Sequence, residues 1–322
     1  MLLQLGILAA VETVRPDWRD PEFGLRLRAL HRRLAATPER PVILALGSSR
    51  TEMGLRPAEM PPLRLAGVEA LVFNFGISGT GPVHQVVLLD RILRSGVRPA
   101  WVSVEVLPPA LHFDGPVETM FDGAKLAWRD LAVVGPYCTD QHHLGRQWAL
   151  ARSSPLSGVR FMLVSQIAPA WLPWHRRLDY LNRVDEHGWM SYPRRTIGPD
   201  ERQRGTAKAH AEYFENLQTY RISPAPDRAL RAVLARCQAE GIAVNLHLMP
   251  ESSLFRSWYE PHAWPIARDY LQRIAAEFGI ALIDCRECVD DADFADGHHL
   301  LPDGASRFTA HYAHQLAALL AR

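Results

Sequence analysis

Short, wholly apolar runs alternate along this chain with stretches whose apolar residues recur every three or four positions. Pro41-Val-Ile-Leu-Ala-Leu46 is closed by Gly47, and Leu71-Val-Phe-Asn-Phe75 is closed by Gly76. Trp101-Val-Ser-Val-Glu-Val106, Ile242-Ala-Val-Asn-Leu-His-Leu-Met249 and Ile280-Ala-Leu-Ile-Asp284 complete a set of five. Runs of this length, rich in Val, Ile and Leu, fit strands buried on both faces. Between them, residues 82–95 put Val86, Val87, Leu89 and Leu93 on one helical face, and 226–240 do the same with Ala229, Leu230, Val233 and Leu234. Residues 262–278 and the stretch from about Gly304 to the C-terminus read as two more helices. Gly96, Gly241 and Gly279 stand just past three of these helices, where a left-handed cap favours glycine. Strand and helix in alternation predict a parallel five-stranded sheet covered on both faces, a three-layer flavodoxin-like α/β fold.

Residues 110–222 break this rhythm. They are rich in Trp, Arg, Tyr and Pro, and follow the third strand. We read them as a large, mainly helical insertion or cap over the C-terminal edge of the sheet, where open α/β sheets bind ligands. The predicted organisation is an N-terminal helical segment over 1–40, a core over 41–109 and 223–322, and the insertion between. The opening MLLQLGILAAVETV is too short to span a bilayer, which takes about 20 apolar residues, and lacks the basic start of a secretory signal. It reads either as a short helix packed on the domain or as the remnant of a truncated anchor.

Composition narrows the function. A hydrophobic share of 48% against 22% charged residues excludes disorder as the main state. With 36 Lys+Arg and 35 Asp+Glu, the net charge of +1 leaves no surplus to neutralise a phosphate backbone, so nucleic acid is not an expected partner. Four cysteines are too few and too scattered for a disulfide framework. Cys285-Arg-Glu-Cys288 has half the spacing of a zinc site or that of a redox pair, but no second such pair completes four ligands. It is read as two small buried side chains, and neither a metal nor a cofactor is expected.

The informative residues fall in three loops predicted to meet at one sheet edge. Gly47-Ser48-Ser49-Arg50-Thr51 follows the first strand, and Asn74-Phe-Gly76-Ile-Ser-Gly79-Thr-Gly81 leaves the second. The third is Asp293-Phe-Ala-Asp296-Gly-His298-His299, near the C-terminus. A hydroxyl after a strand-ending glycine is either a nucleophile or a helix cap. Asp-x-x-His is either a capped turn or a carboxylate orienting a general base, and the three-residue offset selects His299 over His298.

Together these loops resemble the SGNH (GDSL-like) hydrolase and acyltransferase superfamily over the α/β core, though not over 110–222. The resemblance implies Ser49 as nucleophile, His299 as base and Asp296 as its partner, with an oxyanion hole from the N–H groups of Ser49 and Gly79. Asn74-Phe-Gly-Ile77-Ser78-Gly79 matches the second block, and Gly304 follows His299 at the family spacing. Two departures stand out: Ser48 where the commonest motif has Asp, and Glu105-Val-Leu-Pro108-Pro109 where the third block has an oxyanion-donating Asn. Arg50 or His112 could replace that donor, and Arg50 could equally pair with a carboxylate and stiffen its loop. Glu251, His112 and Asn74 are further candidates for substrate contact, and Phe255, Trp258, Tyr259, Trp171, Trp174 and Trp189 either stack on a sugar or anchor the insertion.

The implied activity is a serine esterase acting on acetyl-like esters, of small molecules or carbohydrates, through an acyl-enzyme. Transfer of the acyl group to a polysaccharide hydroxyl is the first alternative, and a non-catalytic carbohydrate- or partner-binding protein on the same scaffold is the second. The variant blocks resemble bacterial branches connected with alginate O-acetylation and lipoteichoic acid D-alanylation, which implies a cell-envelope or secreted setting.

Overall fold

The computed structural model describes residues 2–173 and 176–321, so Trp174 lies outside the described residues. In chain order the elements are α1 (Leu2–Ala9), α2 (Pro21–Ala36), β1 (Val42–Gly47), α3 (Ser49–Gly54), β2 (Arg64–Leu65), β3 (Val68–Glu69), β4 (Leu71–Gly76), α4 (Pro82–Arg94) and β5 (Trp101–Glu105). There follow α5 (Trp128–Val134), α6 (Gln141–Ser153), α7 (Pro155–Ile167), α8 (Pro199–Gln218) and α9 (Pro224–Ala239). The last are β6 (Ala243–Leu248), α10 (Ser253–Arg256), α11 (Ala263–Phe278), β7 (Ala281–Asp284) and α12 (Pro302–Leu320).

Five strands form one parallel sheet in the order β4-β1-β5-β6-β7. All six residues of β1 and of β4 are buried, as double coverage requires. Ile43 and Ala45 of β1 join Val72, Ile283, Phe308, Tyr312 and Leu316 in one apolar cluster, so α12 covers that face. On the other, α4 packs on α9, and α11 is tied to α9 by Tyr270 Oη donating to Asp227 at 2.8 Å and Arg231 pairing with Glu277 at 2.5 Å. The result is a three-layer α/β fold with a helical insertion. Helix α11 ends on Gly279 at φ +64°, a left-handed cap that glycine adopts without strain.

Two compact units divide the chain. One comprises Met1–Ala29 and Asp114–Arg183, and the other Leu30–Phe113 and Val184–Arg322. In the first, Val11, Val159 and Met162 form a small apolar cluster with Ile7, Trp18, Leu163 and Leu178 packed on it. Arg152 ties this unit together by ion-pairing with Glu12 at 2.9 Å and donating to the Gly123 carbonyl at 2.8 Å. Among the described residues, no helix is long and apolar enough to cross a membrane.

The boundary at Val184 differs from the break in composition near 222. Residues 184–190 join the sheet unit through backbone bonds: Asn74 N–H to the His187 carbonyl at 2.8 Å, and Met190 N–H to the Glu52 carbonyl at 3.1 Å. Trp189, 8% exposed, donates its indole N–H to the Met53 carbonyl at 2.8 Å. Backbone pairing of this kind leaves no periodic signature in a sequence. Gly188 sits at φ +86°, and a Cβ there would overlap the Asn74 carbonyl. Gly188→Ala is therefore expected to destabilise the protein by roughly 2 kcal/mol or more, read as a lower urea midpoint with an unchanged m-value.

Candidate active site

The site begins with a buried carboxylate. Glu105, 2% exposed at the end of β5, accepts four hydrogen bonds from Ser48, just after β1, and from Thr51 in the first turn of α3. Ser48 N–H donates to Oε2 at 2.7 Å and Ser48 Oγ to Oε1 at 2.8 Å. Thr51 N–H reaches Oε2 at 3.3 Å and Thr51 Oγ1 reaches it at 2.5 Å. Ser48 Oγ also accepts Arg50 N–H at 3.2 Å, capping α3. A Cβ at position 47 would overlap both Thr51 Oγ1 and Glu105 Oε2, so the carboxylate can approach only because glycine stands there. Ser49, held between these tethered neighbours, is half-buried and opens α3. Its N–H lies in the first turn, where the helix supplies no acceptor.

The loop after β4 is stitched to the same place. Ile77 N–H and Thr80 Oγ1 both donate to the Gly47 carbonyl, at 2.9 and 2.7 Å, and Ser78 Oγ donates to Glu52 at 2.6 Å. Gly79 follows, exposed and at φ +75°. Asn74 is fully buried beneath. Its Nδ2 donates to the carbonyls of Thr51 at 2.7 Å and Leu55 at 2.6 Å, and its Oδ1 accepts Gly76 N–H at 2.8 Å.

The third loop brings Asp296 and His299 to the same place. Ser49 Oγ lies 2.8 Å from His299 Nε2, and His299 Nδ1 lies 2.8 Å from Asp296 Oδ2. Asp296 Oδ1 accepts His299 N–H at 2.9 Å, which fixes the ring to the backbone that carries it. The bonding pattern assigns the proton to Nδ1 and leaves Nε2 free to accept from the serine hydroxyl. Burial pushes the Asp296 carboxyl up, but the hydrogen bonds from the His299 ring and backbone prevail and hold it well below the usual carboxylate range.

Helix α8 backs this loop. Gly205 lets the helix approach, since a Cβ there would come 3.0 Å from Asp296 Cβ. Arg202 donates to the carbonyls of Asp291, Ala292 and Phe294. Tyr213 sets its ring edge-on to His298, with centroids 5.1 Å apart. His298 is 4% exposed, its ring centroid 3.9 Å from that of His299. Burial, then the charge of His299, drives the His298 imidazole well below its ordinary value, so it stays neutral. The ligating atoms of Asp296, His298 and His299 converge within 4.8 Å and could hold an ion, but both ring nitrogens of His299 are already engaged.

Other candidate residues sit in the interior. Arg50, 2% exposed, donates through Nη2 to the carbonyls of Met249 at 3.0 Å and Pro250 at 2.5 Å, and pairs with Glu251 at 3.5 Å. Glu251 is fully buried and also accepts from Arg286 at 2.7 Å and from Tyr259 Oη at 2.9 Å. This is the carboxylate-pairing arrangement left open for Arg50, and it commits Glu251 to holding the loop after β6. His112, 3% exposed, bonds through Nδ1 to the Asn216 carbonyl at 2.9 Å. Phe255, Trp258 and Trp189 are buried, whereas Trp171 is 84% exposed. Pro108 and Pro109 form a buried 3-10 turn, and the Pro108 carbonyl accepts from Tyr220 at 3.0 Å.

Sequence reasoning missed Glu105 and α8. Glu105 had a visible signal: a charged residue ending an apolar strand that must be buried on both faces. The contributions of Gly205, Arg202 and Tyr213 had none, because they come from a segment without strand or helix cues tying it to the sheet.

A family model matches residues 211–321, less than half of the chain. No curated protein matches it in sequence. Among solved structures, it is similar to a "putative acylhydrolase" from Bacteroides fragilis NCTC 9343 at 13% identity and a TM-score of 0.39, over 91% of this chain and 98% of that one.

Two outcomes follow from the site's electrostatics. Arg50→Lys loses the forked contact to two carbonyls and Glu251, so the melting temperature should fall by several degrees while kcat of the folded fraction stays within about threefold. A large loss of kcat at unchanged melting temperature would instead place Arg50 in the oxyanion hole. Asp296 has a depressed pKa, so its stabilisation is present above the unfolded-state value of about 3.9 and is lost as pH falls through the lower folded value. Below about pH 4, the urea midpoint of Asp296→Asn should therefore fall less steeply than that of the parent.

Proposed function

We propose that the protein is a serine ester hydrolase whose nucleophile is Ser49. The observation that supports this best is the chain Ser49 Oγ–His299 Nε2 and His299 Nδ1–Asp296 Oδ2, with both links at 2.8 Å. Three residues distant in sequence are thus linked in the order that nucleophilic acyl transfer uses.

His299 Nε2 takes the Ser49 hydroxyl proton as Oγ attacks the ester carbonyl. Asp296 keeps the proton on Nδ1 and offsets the charge of the imidazolium that forms. The N–H groups of Ser49 and Gly79, borne on loops bonded to each other, receive the developing oxyanion. The protonated His299 then returns its proton to the leaving alkoxide, and water repeats the cycle on the acyl-enzyme. Glu105 acts through the loop, as a positioning residue that holds Ser48 and Thr51 on either side of the nucleophile. His298 remains neutral under the ring of His299 and does not compete as base.

Turnover of small aryl acetates tests the reading. Ser49→Ala should reduce kcat to background, and Asp296→Asn should lower it by about 10³–10⁴ while the circular dichroism spectrum stays unchanged. Asp296→Asn turning over normally would remove Asp296 from the mechanism, and Ser49→Ala doing so would refute the proposal.

A further inference from the structure

The loop after β7 and the outer face of α12 converge on a second cluster of side chains. Cys285 closes the strand, 1% exposed, and Cys288 follows one turn later, with its N–H bonded to the Cys285 carbonyl at 3.2 Å. That turn brings both sulfurs to one side of the loop. His311 on α12 supplies an imidazole, and the two Sγ atoms and a ring nitrogen all lie within 4.8 Å of one another. Both cysteines are free thiols. The sequence alone shows only the Cys-x-x-Cys pair, because His311 joins it through the packing of α12 on β7.

We propose that Cys285, Cys288 and His311 form a binding site for a thiophilic divalent cation of the zinc class. Two thiolates and one imidazole match the soft and borderline donors that such ions take, in preference to the oxygen donors of magnesium or calcium. The separations are those of donors that contract onto a tetrahedral ion at about 2.0–2.3 Å. Cys285 forms the dry inner wall within the apolar cluster of α12, Cys288 is half-buried, and His311 is exposed. The open side admits the ion and leaves its fourth position to water. Binding exchanges the two thiol protons for the cation, so the neutral site carries no net charge into the core.

The site's place in the chain gives it a consequence. Cys285 and Cys288 precede the Asp296–His299 loop and His311 follows it, so a bound ion clamps both ends of that segment. The inference does not depend on what reaction Ser49 performs.

The test is titration of the reduced full-length protein, stripped with a chelator, with Co(II) and then Zn(II). One equivalent of Co(II) should give thiolate-to-cobalt charge transfer and a tetrahedral visible spectrum, which Zn(II) displaces. Zn(II) should raise the melting temperature. Cys288→Ser and His311→Ala, at half-buried and exposed positions that spare the fold, should each weaken binding by tenfold or more, whereas His299→Ala should leave it unchanged. Absence of stoichiometric binding by the reduced protein would overturn the proposal. So would binding that survives both Cys288→Ser and His311→Ala, or that disappears in His299→Ala.

Discussion

The bonding of Glu105 to the turn between β1 and α3 is the constraint on which the rest of the site depends. A carboxylate removed from water is costly unless its oxygens are fully satisfied, and here four donors from Ser48 and Thr51 satisfy them. Those donors flank Ser49 on both sides, so the same bonds that make the burial tolerable fix the Ser49 backbone. Gly47 is the condition for this, because any side chain there would occupy the space the carboxylate takes. Below Glu105, Thr51 Oγ1 lies 3.4 Å from His247, whose other nitrogen is 2.9 Å from Ser103 Oγ, itself 2.5 Å from Tyr312 Oη. Burial drives the His247 imidazole down to about 4 against the pull of Glu105, so this polar column runs along the α12 face of the sheet with a neutral ring at its centre.

Two adjacent histidines show how environment divides one residue type into two roles. His299 is half-exposed, with a serine on one nitrogen and a carboxylate on the other. His298 is enclosed by Phe255, Tyr213 and His299 and loses its capacity to take a proton. Its rings and those around it form the apolar floor on which the Asp296–His299 loop rests, and α8 closes the loop from behind. The Arg50–Glu251–Arg286 group does comparable work beneath the loop after β6, where two buried cations share one buried carboxylate.

The strands were legible in the sequence because a parallel sheet buried on both faces must be written in apolar residues, and the helices because their apolar faces repeat. Asp296 and His299 were legible through a local spacing, three residues, that any backbone turn would bring together. What lay hidden depended on tertiary contacts between unlike segments. Glu105 reads as an anomaly until the Ser48 and Thr51 donors are seen beside it. Residues 184–222 read as part of an insertion because backbone hydrogen bonds and scattered buried residues such as Trp189, Met190 and Leu217, not an alternation of strand and helix, attach them to the sheet unit. For Arg50 and Glu251 the residues themselves admitted either a ligand-facing or an inward role, and only their packing distinguishes the two.

The central claim is that Ser49 is an activated nucleophile and not merely the first residue of a capped helix. Labelling of the native protein with a fluorophosphonate, followed by peptide mass spectrometry, tests it without knowledge of the substrate. The account predicts one adduct per chain, located on Ser49, and strongly slowed labelling in His299→Ala. No adduct on the folded protein, or an adduct on another serine that forms equally well without His299, would contradict it.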